Sequence, residues 1–419
     1  MTVRSAKPFE SVAIIGAGHG GIQVAAELRR RGFAGRIHLI SAESALPYQR
    51  PPLSKTFLKP GTEGAMPAPQ EFRPRSWFSE QNIELGLGDP VIRLDPDRHE
   101  VELRSGRTVL FDHAILATGS SNRPLPVPVL SGQVMTLRDV EDATRVRTTL
   151  ADASHVAIVG GGFVGLEIAS SVRALGKEVT VIEAEDRLLR RGLSENIAAE
   201  IHRRHSELGV SVSLSTMVSA VQSHTNPLIQ LTLQTGESMS CDVLIAGVGA
   251  VPNTDLARSA GLTISDGVEG GVKVDGTLRT SHPAVSAIGD VCSFPLPDGR
   301  RIRLESVQNA VDQGRYVATR LLGQSGDYHA VPWFWSDQAN SKVQMVGFPG
   351  ESITERIAVP GKRIPGGVSV WHFNGSRFVG GESIDDNAGH IQMRRIMESG
   401  QSISPYEVAQ LNKGPQKVR

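Results

Sequence analysis

The 419-residue sequence predicts an α/β fold in which one βαβ design occurs twice, followed by a small α+β domain at the C-terminal end. Three observations carry this. An apolar run leads into glycines spaced GxGxxG at Gly16, Gly18 and Gly21, and the same spacing returns at Gly160, Gly162 and Gly165. A further apolar strand, closing on Gly289 and Asp290, lies beyond both.

The first unit starts with Val12 to Ile15 and enters the glycine loop directly. Its first glycine allows a tight turn, its second lets backbone approach a pyrophosphate, and its third lets helix pack closely on strand. Ile22, Ala25, Ala26 and Leu28 then fall at helical spacing, and Arg29 to Arg31 followed by Gly32 suit a helix C-terminus. The opposite end of that helix offers bare N–H groups and the positive end of a dipole to phosphate. A second strand, Ile37 to Ile40, delivers Glu43 to where a carboxylate takes ribose hydroxyls. A glycine-rich turn without a ligand would not need the strand, the helix and the acid together; a dinucleotide is expected here.

Pro47 to Lys55 follows, with three prolines stiffening a stretch that presents Arg50 and Lys55. On local sequence alone this is a rigid surface turn. Residues 83 to 119 read as strands joined by turns, ending in Leu116, Ala117, Thr118 and Gly119, and a proline-rich linker is expected from Arg123 to Pro128. The second unit repeats the order of parts. Val156 to Val159 enters the loop of Gly160, Gly162, Val164 and Gly165, a helix carries Leu166, Ile168, Ala169 and Val172, and Val179 to Ile182 ends on Glu183. Cys241 to Gly249 echoes Phe111 to Gly119. This is a duplicated domain design rather than a short solenoid repeat. From about residue 325 the character changes: Trp333 to Gln338, Ser341 to Val346 and Val368 to Phe373 look strand-like, and Ala388 to Ser399 looks helical.

Composition sets limits. Lys plus Arg equals Asp plus Glu at 44 each, so no overall basic excess points to nucleic acid or an anionic membrane. Cys241 and Cys292 are the only cysteines, which excludes a disulfide-stapled scaffold and a Cys-rich metal cage and fits a reducing compartment. His19, His99, His202 and His205 lack ligand-spaced company, so no metal is expected. Neither GxSxG nor GxxxxGK[ST] occurs. With no apolar h-region at the start and no run of membrane-span length, the expected location is cytoplasmic.

Two fingerprints, each with its acid, imply two dinucleotides on one chain, which is the pattern of a flavoprotein fed by a nicotinamide. Gly289-Asp290 follows the second unit yet is similar to the aspartate that caps the ribityl chain in FAD proteins of this architecture, so the resemblance implies that the nicotinamide domain is an insertion. The expected boundaries are an FAD domain at 1–122 and 251–324, an NAD domain at 123–250, and the C-terminal domain at 325–419.

The chain resembles the NADH-dependent ferredoxin reductases of oxygenase systems, the family of putidaredoxin reductase and biphenyl dioxygenase ferredoxin reductase. The resemblance rests on Arg50 to Lys55 (RPPLSK), Leu116 to Gly119, Gly160 to Glu167, Gly289-Asp290, Glu305 to Asn309, and Pro332 to Gln338. It implies a glutathione-reductase-like fold, FAD and NAD as cofactors, and a 2Fe-2S ferredoxin as the electron acceptor. Carried over residue by residue, Gly20, Lys55, Val91, Arg138, Asp290 and Val307 look like FAD contacts, and Glu167 a contact for the nicotinamide end of NADH. Gly16, Gly18, Gly21, Glu43, Arg50, Thr118, Gly119, Gly289 and Trp335 complete the expected flavin set. Gly160, Gly162, Val164, Gly165, Glu183 and Gly249 complete the nicotinamide set. Relatives often carry aspartate where this chain has Ala42, which leaves Glu43 as the expected ribose partner.

Hydride transfer needs two flat rings at contact distance and little else from the protein. Lys55 suits a fixed cation for the reduced ring, and Lys55 and Glu167, each on its own account, are the expected catalytic residues. Glu183 favours a ribose diol and repels a 2′-phosphate, although Arg187, Arg190 and Arg191 lie close to it in sequence. Disulfide reductases relay electrons through a CxxxxC pair, and the first unit has no cysteine, so the flavin should pass electrons directly to a one-electron carrier. A basic docking face would suit an acidic ferredoxin, with Arg300, Arg301 and Arg303, or Arg73 and Arg75, as its expected cations. Trp333 and Trp335 fit either the flavin or docking face or the core of the small domain. The protein is expected to be a monomer or weak dimer. Competing readings are an NADH oxidase, a rubredoxin or monodehydroascorbate reductase, and a signalling protein similar to apoptosis-inducing factor.

Overall fold

A computed structural model describes residues 9–59, 67–129, 134–225, 228–267, 270–296, 298–338, 340–347 and 353–411. The described residues form two compact units. One comprises residues 1–49, 70–121 and 250–330, the other residues 50–69, 122–249 and 331–419, each within the limits just given. The α/β class expected from the sequence is the class observed.

In the first unit a five-stranded parallel sheet has Ser11–Ile15 at its centre. Arg36–Ile40 and then Ile83–Gly86 lie to one side, with His113–Leu116 and Val285–Ala287 to the other. The central strand is buried along its whole length, which is why it reads as an unbroken apolar run rather than an alternating one. The helix His19–Arg30 follows it and buries Ile22, Val24, Ala25 and Leu28, the three larger side chains contributing about 1.5–3 kcal/mol each. A three-stranded antiparallel sheet, Val91–Asp95, Glu100–Leu103 and Thr108–Leu110, occupies the stretch punctuated by turns.

The second unit repeats this plan around His155–Val159, with Glu178–Ile182 and Val210–Ser213 to one side and Val243–Ala246 and Val134–Met135 to the other. Its counterpart of the first helix is Phe163–Ala174. The antiparallel trio recurs as Val218–Thr225, Leu228–Leu233 and Ser238–Cys241. The stretch expected as a linker is not loose: Leu125 and Val127 pack on the core beside this trio.

The same unit holds a five-stranded antiparallel sheet in the order Trp333–Gln338, Ser341–Gly347, Arg377–Ile384, Val368–Asn374, Glu355–Pro360. Helices Asn387–Ser399 and Pro405–Gln410 accompany it, and Val346, Val359, Trp371, Phe373, Met393 and Val408 form its core. Two of these strands, Glu355–Pro360 and Arg377–Ile384, and the last helix were not read from sequence.

Candidate functional site

The two glycine loops have the same geometry. Gly16 and Gly160 sit at φ +111° and +109°, a conformation L side chains rarely adopt, and a Cβ on either would run into the carbonyl of Ala117 or Gly247. Their N–H groups donate to Ile40 O and Ile182 O, both at 2.8 Å, fixing the loop across the ends of the first two strands. A Cβ on Gly21 or Gly165 would lie 1.9 or 2.2 Å from the carbonyl oxygen of the loop's own first glycine. The middle glycines differ. A Cβ on Gly18 or Gly162 would meet nothing within 4 Å, and each caps a helix that has no side-chain capping bond and no acid in its first turn. Open space in front of uncapped N–H donors fits a pyrophosphate twice over.

The acids follow differently in the two units. Glu183 comes directly after its strand, where its Oε2 accepts the Gly161 N–H at 2.6 Å and its Oε1 the Glu185 N–H at 2.9 Å. By register the first unit has Ser41 at that place; Glu43 comes two residues later and accepts the Tyr48 hydroxyl. Gly20 is buried at the contact with Ile288 and Ala310 rather than facing open space. Val164, beside the second loop, is exposed. Arg190 pairs with Glu185 and Asp186, and Arg187 donates to the carbonyls of Leu193 and Arg190. Gly249 takes φ +107° near Arg191.

Further residues expected at the flavin gather in the first unit. The Ser120 hydroxyl donates to Asp290 Oδ2 at 2.9 Å, and the Gly289 N–H donates to the buried Gln313 Oε1 at 2.7 Å. Thr118 and Asn253 exchange two hydrogen bonds, with Gly119 next in the chain at φ +66°. Val91 opens its strand and Val307 its helix.

From Arg50 onward the proline-stiffened stretch belongs to the second unit and is more than a surface turn. It forms two short 3-10 turns, Pro51–Ser54 and Thr56–Leu58, that bury Leu53, Phe57 and Leu58. Ser171 Oγ donates to Ser54 O at 2.7 Å, Arg147 donates to Phe57 O at 2.8 Å, and Arg50 donates to Arg138 O at 2.7 Å. So anchored, the stretch aims Lys55 at Glu167. Lys55 Nζ lies 2.7 Å from Glu167 Oε2, the carboxylate being only 7% exposed. Ser54 Oγ donates to the same oxygen at 2.6 Å, and Ser336 Oγ donates to Oε1. Gln338 then donates to Ser336 Oγ at 2.8 Å. The sequence indicated Lys55 and Glu167 separately; the structure brings them together, and adds Ser54, Ser336 and Gln338, which were missed. Their signal was alternation: Phe334, Ser336 and Gln338 share one face of a strand, and both polar residues are fully buried.

The tryptophans occupy the other face. Trp333 packs against the core of the C-terminal sheet, 5.5 Å from the Trp335 ring, with the Arg394 guanidinium 4.7 Å over it. Trp335 is half-buried.

Three of the arginines expected to dock a partner are already engaged within the chain. Arg301 turns inward to the carbonyls of Val274 and Ser293, and Arg303 bonds Glu305 at 2.6 Å with its side chain 8% exposed. Arg300 pairs with Asp298 at 2.7 Å. Arg73 and Arg75 are exposed. Both cysteines are free and buried; burial pushes the Cys241 thiol up to about 11 and the Cys292 thiol higher still. Among the described residues no cluster of His, Cys, Asp and Glu could hold a metal, and no helix is long and apolar enough to cross a membrane.

The chain matches the family described as pyridine nucleotide-disulphide oxidoreductase over residues 10–314, and that described as reductase C-terminal over residues 333–414. It is 40% identical to rhodocoxin reductase of Rhodococcus erythropolis over 402 residues, 95% of this chain and 92% of that one. Among solved structures, the ferredoxin reductase for the CYP199A2 system from Rhodopseudomonas palustris matches with a TM-score of 0.89 at 37% identity, over 96% of this chain and 97% of that one. A covalent putidaredoxin reductase–putidaredoxin complex gives 0.86 at 31%, over 95% of each chain.

Proposed function

Because this chain belongs to the pyridine nucleotide-disulphide oxidoreductase family, we propose that it carries electrons from NADH through FAD to a 2Fe-2S ferredoxin serving an oxygenase. The observation that carries this reading is the state of its sulfur. A thiol relay needs a pair of reactive cysteines, and here both are buried as protonated thiols, with no disulfide between them. When bound, the flavin supplies hydride acceptance from NADH and one-electron delivery onward.

The residues' work is placement and charge. We assign FAD to residues 1–122 and 251–324, with its pyrophosphate at Gly16, Gly18 and Gly21, a ribose at Glu43 and the ribityl chain at Asp290. NAD falls to residues 123–250, with the pyrophosphate at Gly160, Gly162 and Gly165 and the adenosine ribose at Glu183. Glu183 is already tied to its own loop through Gly161, so a 2′-phosphate there would face a fixed negative charge. Lys55, held by Glu167, serves as the cation that stabilises negative charge on the reduced ring, and Glu167 as the contact for the nicotinamide end. Arg73 and Arg75 are the cations we assign to ferredoxin docking, and a reducing compartment such as the cytoplasm suits both free cysteines.

An anaerobic titration tests this reading. The purified yellow protein should bleach with NADH and not with NADPH. It should then reduce a 2Fe-2S ferredoxin at a rate that falls as salt rises. Bleaching by NADPH alone, or reduction of dioxygen to peroxide in preference to ferredoxin, would overturn it.

A further inference from the structure

Glu167 is one end of a longer buried chain that lies wholly within the second unit. Gln338 Nε2 donates to Phe163 O at 3.1 Å, and a backbone carbonyl can only accept. The amide orientation is therefore fixed, and Gln338 Oε1 faces His205 Nε2 at 3.0 Å. An oxygen there requires the proton of His205 on Nε2. His205 is 1% exposed, its Nδ1 has no hydrogen-bond partner among the described residues, and burial holds its pKa below the ordinary histidine value. A neutral ring with one proton meets all three conditions. The second amide N–H of Gln338 goes to Ser336 Oγ, so the Ser336 hydroxyl proton is directed to Glu167 Oε1. Every donor points the same way, from His205 through Gln338 and Ser336 to the carboxylate that holds Lys55.

We infer that His205 is a positioning residue for the Lys55–Glu167 pair, acting through Gln338 and Ser336 without touching either cofactor. The opposite tautomer would set a ring lone pair against Gln338 Oε1 and drive the amide to turn over. Phe163 O would then face an oxygen, and Ser336 would lose the donor that fixes its hydroxyl. The inference rests on the role proposed above for Lys55 and Glu167.

The test compares two substitutions of similar shape. His205→Met removes the donor, while His205→Gln places an amide N–H where it can reach Gln338 Oε1. Flavin reduction at saturating NADH should slow by roughly fivefold or more in His205→Met with little change in the KM for NADH. His205→Gln should recover most of that loss. Side-chain 15N spectra of the cofactor-free protein should show His205 as the neutral Nε2–H form, its signal identified by its absence from His205→Gln. Finding the proton on Nδ1, a wild-type rate in His205→Met, or equal losses in both variants would overturn the inference. If His205→Met does not fold, Ser336→Ala cuts the same chain, and a wild-type rate there overturns it equally. Lys55→Met separates the two levels. If it slows flavin reduction while His205→Met does not, only this inference falls; if neither variant slows it, the role assigned to Lys55 falls as well.

Discussion

Lys55, partly exposed, pairs with the buried carboxylate of Glu167, and the worth of the pair depends on what each partner would do alone. Desolvation makes a lone buried charge costly, on the order of 3–5 kcal/mol when one partner is removed. Here Glu167 keeps two hydroxyl donors, Ser54 and Ser336, if the lysine is lost, so the carboxylate stays placed. Lys55→Met should therefore leave a folded protein that binds FAD, yet slow flavin reduction by NADH by at least about tenfold in stopped flow. An unchanged rate would remove Lys55 from the chemistry. At this scale the sequence was only partly legible. Gly16, Gly18 and Gly21 announce themselves because all three fall within six positions of one loop. Ser54, Glu167 and Ser336 meet across separations of 113 and 169 residues, and no local pattern encodes that meeting. The tryptophans of the strand Trp333–Gln338 draw the eye, while Ser336, which bonds Glu167, and Gln338, which bonds Ser336, alternate with them on the opposite face.

At the level of the element, the two βαβ loops separate steric from chemical demands on glycine. A Cβ on Gly165 would collide with Gly160 O, whereas one on Gly162 would meet nothing, and Gly162 has an ordinary negative φ. Gly165→Ala should lower stability by about 1–3 kcal/mol through overpacking. Gly162→Ala should melt within about 2 °C of wild type yet weaken NADH binding roughly tenfold, because the methyl would enter the open space proposed for the pyrophosphate. Calorimetry and a fluorescence titration with NADH read the two effects separately. Wild-type NADH affinity in Gly162→Ala would refute the pyrophosphate assignment. The elements of both loops were legible because strand, glycines, helix and acid lie in continuous sequence. The strand Glu355–Pro360 was not, since its exposed, mixed pattern becomes a strand only by pairing with Val368–Asn374.

For the whole molecule, the duplication was legible and the packing of the proline-rich stretch was not. The described residues of 50–69 join those of 122–249 in one compact unit because Leu58 is buried among the hydrophobic side chains of helices Val140–Leu150 and Phe163–Ala174, a choice invisible in chain order. Burial also sets the acid limit of the fold. Desolvation holds His113 at about 3 and His372 and His390 at about 4, below the usual 6.5. As pH falls below 6.5 the unfolded chain takes up these protons first, so stability declines from there toward pH 4, by about 1.4 kcal/mol per pH unit for each histidine. Melting temperatures should fall steeply over that window, and His372→Leu should flatten the slope if its packing is retained; a profile flat from pH 6.5 to 4 would contradict the neutral burial of these rings.

On the function proposed above, electrons leave the flavin without a thiol relay, because both cysteines are free and buried. The most direct measurement is stopped-flow reduction of a 2Fe-2S ferredoxin by NADH with the double variant Cys241→Ala, Cys292→Ala. Direct delivery from the flavin predicts a ferredoxin reduction rate within about twofold of wild type. A flavin that still bleaches with NADH while ferredoxin reduction is lost would mean that a thiol lies on the path.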